Sequence, residues 1–189
     1  MSFRRVLSAA AALVLACGCS SSSGSSSGAF AEWPADAALR AKFEKQRTDF
    51  EKLISMSNAE PKLWQITPGF ARVDDFHPGR TPRAATEADL PKARYTDYRE
   101  TFRTLGLPNG LLRERAVPPA EQIFFPVYVK QMGSDDSVEK GFAYCECELP
   151  EHTGAELTLA EAQAKKPGPV FQRLEPGQQR WYLYARYNE

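Results

Sequence analysis

Two cysteines one residue apart, Cys145 and Cys147, and two histidines, His77 and His152, are the side chains best suited to chemistry. On an extended strand, residues two apart share a face, with Cα atoms about 6.5–7 Å apart. A disulfide prefers about 5.5–6 Å, so a bond between these two needs a bulge or a strained geometry. Three readings stay open: small apolar fillers on one sheet face, a disulfide or thiol pair, or part of a metal site completed by His77 or His152. The last falls short of the four-ligand spacing of structural zinc, and no metal or other cofactor is expected. Asp74-Asp75-Phe76-His77 offers acids that can orient an imidazole as a general base, in a loop where functional residues concentrate. No nucleophile in a recognisable context accompanies it, and Asp and His before Pro-Gly are ordinary turn formers. A periplasmic hydrolase using the His77 loop is therefore the second functional reading, and no catalytic residue is assigned.

The N-terminus carries a different chemistry. Arg4 and Arg5 precede an apolar run, Val6 to Ala16, that is shorter than the about 20 residues a membrane-spanning helix needs. The run ends in Val14-Leu15-Ala16-Cys17, which resembles the bacterial lipobox. That resemblance implies a diacylglycerol thioether on the cysteine, cleavage before it, and an acylated new N-terminus, with palmitate the typical chain. Cys17 fits the pattern better than Cys19, which remains the alternative, and a plain secretory signal is the blander reading. Ser20 to Gly28 contains only Ser and Gly, a flexible spacer with a random-coil reach of about 15–20 Å. The expected organisation is a signal peptide over 1–16, a lipidated cysteine and tether over 17–30, and one globular domain over 31–189. The location this implies is the cell envelope, most simply the outer membrane facing the periplasm.

Charge narrows the partners. Lysine plus arginine equals aspartate plus glutamate at 24 each, and losing residues 1–16 leaves 22 basic against 24 acidic. A near-neutral chain has no electrostatic footprint for nucleic acid.

The apolar pattern predicts a helix from about Ala35 to Asn58, with Leu39, Phe43, Phe50, Leu53 and Ile54 on its stripe and Asp36 as N-cap. A polar gap at Gln46 and Arg47 interrupts that stripe. A second helix, from about Pro91 to Leu105, buries Tyr95, Tyr98, Phe102 and Leu105 and stops at Gly106. Strands are expected at 62–67, 70–73, 122–131, 138–148, 170–174 and 179–187. Pro126 marks an edge or a bulge, and Thr158-Leu-Ala-Glu161 is a capping box. The fold class is α+β: helices packed on a small antiparallel sheet of roughly four to six strands.

Three stretches resemble a group of uncharacterised bacterial lipoproteins of proteobacterial type. They are Arg94-Tyr-Thr-Asp-Tyr-Arg-Glu-Thr-Phe-Arg-Thr-Leu-Gly-Leu107, Lys140-Gly-Phe-Ala-Tyr144 and Trp181-Tyr-Leu-Tyr184. The resemblance implies location and architecture and assigns no activity. In the last strand Trp181, Leu183, Ala185 and Tyr187 share one face, the expected core side. Arg180, Tyr182, Tyr184 and Arg186 share the other and form a candidate interaction surface, since Tyr and Arg are enriched in binding hot spots. An ordinary amphipathic outer face is the plainer reading. The function expected is a protein-binding module, not an enzyme, of the immunity or envelope-assembly kind. Its partner is then another envelope protein or a secreted effector, and a purely structural lipoprotein is a further alternative.

Overall fold

A computed structural model describes residues 32–74, 82–115, 121–134, 136–164, 168–174 and 180–188. Cys17, Cys19, the Ser/Gly run over 20–28 and His77 lie outside the described residues.

The long apolar stripe becomes helix α1, Asp36–Ala59, which buries Leu39, Phe43, Phe50, Leu53 and Ile54. Its N-cap is Ala35, not Asp36. The Asp36 carboxylate is drawn inward instead, accepting from the Leu157 N–H at 2.9 Å and pairing with Lys140 Nζ at 2.5 Å. The polar gap in the stripe coincides with a break in helical geometry at Gln46, φ −120°. From there the Gln46 amide donates to the Thr104 carbonyl in the last turn of the second helix, α2, Lys92–Leu105. Gly106 ends α2 in the left-handed region at φ 60°. The Leu107 N–H then returns to the Phe102 carbonyl at 2.9 Å, satisfying a carbonyl the helix leaves open.

Eight strands form one antiparallel sheet: β1 Leu63–Ile66, β2 Ala71–Val73, β3 Arg83–Ala84, β4 Leu111–Arg115, β5 Glu121–Gln131, β6 Ser137–Cys145, β7 Val170–Arg173 and β8 Trp181–Asn188. Their spatial order is β3-β2-β1-β4-β5-β6-β8-β7. The mixed α+β class stands, with more strands than the four to six expected. The two additions are β3, only two residues long, and β4, whose Arg-Glu-Arg ending hides its apolar start. Pro126 marks a bulge: the β5–β6 register shifts between Pro126 and Tyr128, and β5 is an interior strand. Opposite it, Gly141 has the Phe125 carbonyl oxygen 2.1 Å from where a Cβ would stand. Any larger residue must push the strands apart at that point. The short helix α3, Leu159–Ala164, opens on the predicted capping box, with the Thr158 N–H donating to Glu161 and the Glu161 N–H to Thr158 Oγ1.

The sheet has two buried faces. Against the helices, Phe43 and Phe50 of α1 meet Phe125, Phe142 and Trp181 in a ring cluster with centroids 4.8–5.8 Å apart. Burying each such ring contributes about 2–3 kcal/mol. On the opposite face lies a second cluster of Phe124, Ala143, Cys145, Leu149, Phe171, Tyr182 and Tyr184. Phe124 on β5 and Phe171 on β7 are three strand spacings apart, about 14 Å on a flat sheet. Their ring centroids are 6.2 Å apart. The sheet therefore curls, and this second face is its concave side.

Candidate functional site

The curl corrects the expectation for the last strand. Tyr182 and Tyr184 do share a face with Arg180 and Arg186, but both tyrosines are 0 % exposed. Arg186 is buried as well, and only Arg180 reaches solvent. The strand alternates as expected, and the concavity converts its outer row into core. Tyr182 uses its hydroxyl to hold the segment that follows β6, donating to the Cys147 carbonyl at 3.3 Å and accepting from the Leu149 N–H at 3.4 Å.

Arg186 organises the charges on this face. Its guanidinium pairs with Glu139, its cross-strand partner on β6, and with Glu114 on β4 at 2.5 Å. It also lies over the Phe124 ring, 4.6 Å from the centroid. Burial opposes its charge, yet Glu139, Tyr184 and Glu114 outweigh that and hold its pKa above the ordinary arginine value. Burial raises the Glu139 carboxyl above its ordinary 4.5 despite Arg186. It also pushes the Tyr184 hydroxyl well above 10, with the Glu139 charge adding to the effect. The Tyr184 hydroxyl faces that carboxylate without closing a hydrogen bond of good geometry. Every charge here has a buried partner, which makes the cluster a structural brace.

A second polar cluster differs in that it opens. At one end of β4, β5 and β6 lies a pocket of about 460 Å³, lined by Asn58, Arg113, Glu121, Tyr144, Glu146 and Cys147 among others. Arg113 projects from β4 toward the helices and is 1 % exposed. Its Nη1 donates to Glu121 at 2.5 Å and its Nη2 to the Ser57 carbonyl at 2.6 Å and hydroxyl at 2.5 Å. Its Nε has no hydrogen-bond partner among the described residues. A buried donor left open costs about 1–3 kcal/mol. Glu121 is 34 % exposed at the rim. Glu146 is exposed there too, accepting from the Tyr144 hydroxyl at 3.1 Å and lying 4.0 Å from Arg180. Burial, with the bond to Glu146, raises the Tyr144 pKa, so this hydroxyl stays a donor.

Cys145 and Cys147 form a disulfide with Cα atoms 5.1 Å apart. The separation is shorter than an extended strand allows because β6 ends at Cys145 and the chain bends through Glu146 and Cys147. Closing three residues restricts the unfolded chain by only about 1.6 kcal/mol in the loop-entropy picture. The sulfurs are thereby spent on each other. His152 does not join them: its Nε2 lies 3.1 Å from Glu161 Oε1. Among the described residues, no group of three or more His, Cys, Asp or Glu could hold a metal ion.

Comparison with protein-family models, curated proteins and solved structures finds no match to this chain. The pocket residues Arg113, Glu121 and Tyr144 were not singled out by the sequence. Arg113-Glu114-Arg115 reads as solvated charge, and only the Leu111-to-Arg113 spacing on one strand face signals that Arg113 points inward.

Proposed function

We propose that this is a lipid-anchored protein of the cell envelope that acts by binding another protein, with the strand-end pocket as the seat for part of that partner. The observation that carries this reading is the pocket itself, about 460 Å³ at the strand ends, walled by the buried Arg113 and rimmed by Glu121 and Glu146. Around the pocket, Arg113 and Arg180 balance Glu121 and Glu146, so the complementary group is neutral and polar. A peptide group or a carboxamide side chain fits, supplying one acceptor for the exposed Arg180 and one donor for a rim carboxylate. Secreted effectors and envelope-assembly proteins both offer such loops. The lipobox-like Val14-Leu-Ala-Cys17 and the Ser/Gly run support the anchor. No observation among the described residues favours hydrolysis through His77.

Photo-crosslinking tests the pocket. A crosslinker at position 146 is expected to trap a discrete protein that one at position 130, at the far end of β5, does not. The adduct should disappear when Glu121→Arg fills the rim. Equal trapping at both positions, or an adduct indifferent to that change, overturns the reading. Mass spectrometry of the mature N-terminus tests the anchor: acyl chains on Cys17 are expected, a lipopeptide beginning at Cys19 moves the site, and an unmodified end removes it.

A further inference from the structure

The two bridged cysteines have unequal surroundings. Cys145 is 0 % exposed on the concave face. Cys147 is partly exposed and lines the strand-end pocket. The Cys147 N–H donates to Cys145 Sγ at 3.2 Å. A donor therefore already faces the sulfur that would carry negative charge if the bond opened. Access lies on one side and charge stabilisation on the other, which is the asymmetry directed exchange requires.

We propose that Cys145–Cys147 is a thiol-exchange site, attacked at Cys147 through the pocket by a low-molecular-weight thiol. The incoming thiolate forms a new S–S bond to Cys147 Sγ. The bond to Cys145 breaks, and its electron pair remains on Cys145 as a thiolate facing the Cys147 N–H. In reverse, Cys145 attacks Cys147, the ring closes and the small thiolate leaves. One disulfide replaces another, so the step needs no oxidant, and the co-reactant is the thiol alone. A pocket of about 460 Å³ is large enough for such a molecule. The three-residue bridge adds little to global stability, so opening it leaves the fold in place. This inference is independent of a protein partner and stands if the crosslinking fails.

Glutathione is the probe. The full lipoprotein in detergent is incubated with reduced glutathione, quenched with acid, alkylated, and mapped by fragmentation of its cysteine peptides. Glutathione is expected on Cys147 with the alkylating label on Cys145, formed at least tenfold faster than global unfolding measured by hydrogen exchange. In single variants, the thiol left by Cys145→Ser should react with oxidised glutathione at least tenfold faster than the thiol left by Cys147→Ser. Glutathione on Cys145, equal rates in the two variants, or opening only at the global unfolding rate overturns the proposal. Should either variant lose its near-ultraviolet circular dichroism, the wild-type map and rate decide alone.

Discussion

Arg186 and Arg113 are both buried on the same sheet, and their surroundings are opposite. Arg186 lies within the curl, gripped by two carboxylates and covered by the Phe124 ring. Arg113 sits where the strands end, held by one carboxylate and one serine, at the wall of a pocket. A buried arginine held between two carboxylates is a brace. In the proposed function, one at the wall of a pocket is part of the seat for a ligand. The contrast separates the two regions better than residue type does, because both are Arg–Glu clusters flanked by tyrosine.

That contrast can be broken by mutation, beginning with the brace. Arg186→Met leaves Glu139 buried and uncompensated and is expected to destabilise the domain by about 3–5 kcal/mol in chemical denaturation. Adding Glu139→Leu should recover most of the loss. If the single variant is as stable as wild type, Arg186 is no brace. Arg113→Gln should cost less, about 1–3 kcal/mol, because Glu121 keeps contact with water. It should also abolish the crosslink at position 146, and retention of that crosslink would erase the distinction between the two arginines. Tyr182→Phe removes a hydroxyl from Cys147 and Leu149, for about 0.5–1.5 kcal/mol. On an exposed binding face the same change would leave stability untouched, so denaturation discriminates the two placements directly.

The smallest effect is one of pH. Burial raises the Glu139 pKa above its ordinary 4.5, so the folded protein takes up this proton before the unfolded chain does. The group's stabilising contribution is complete below about 4.5 and is lost as pH rises through the folded value. Wild type should therefore gain stability relative to Glu139→Gln as pH falls from 7 toward 4.5. A difference that is flat, or that runs the other way, would show that Arg186 fully offsets the burial.

Periodicity made the helices legible. The stripes ending at Asn58 and Leu105 each reproduce a helix to within a residue or two, and even the gap at Gln46 marks a real break. Alternation likewise placed Trp181, Leu183 and Ala185 against the helices. What alternation cannot carry is curvature. Tyr182 and Tyr184 look amphipathic in one dimension, and only closure between β5 and β7, far apart in sequence, turns them into core. Asp36 illustrates the same limit. A cap is a local reading, and its actual partners, Leu157 and Lys140, lie more than a hundred residues away. The pocket was hidden for that reason too, since Arg113, Glu121 and Tyr144 meet only after three strands pair.

Lys140 adds a mechanical consequence. Its buried ammonium holds the Pro34 carbonyl at 2.7 Å, the Leu157 carbonyl at 2.8 Å and the Asp36 carboxylate, under the Trp33 ring. Trp33, Pro34 and Asp36 are among the first described residues. In the proposed anchored state, tension on the lipid end enters the domain here and passes to β6, an interior strand bonded on both sides. An edge strand under the same pull would peel one hydrogen bond at a time. A load delivered to the middle of the sheet must shear two ladders together.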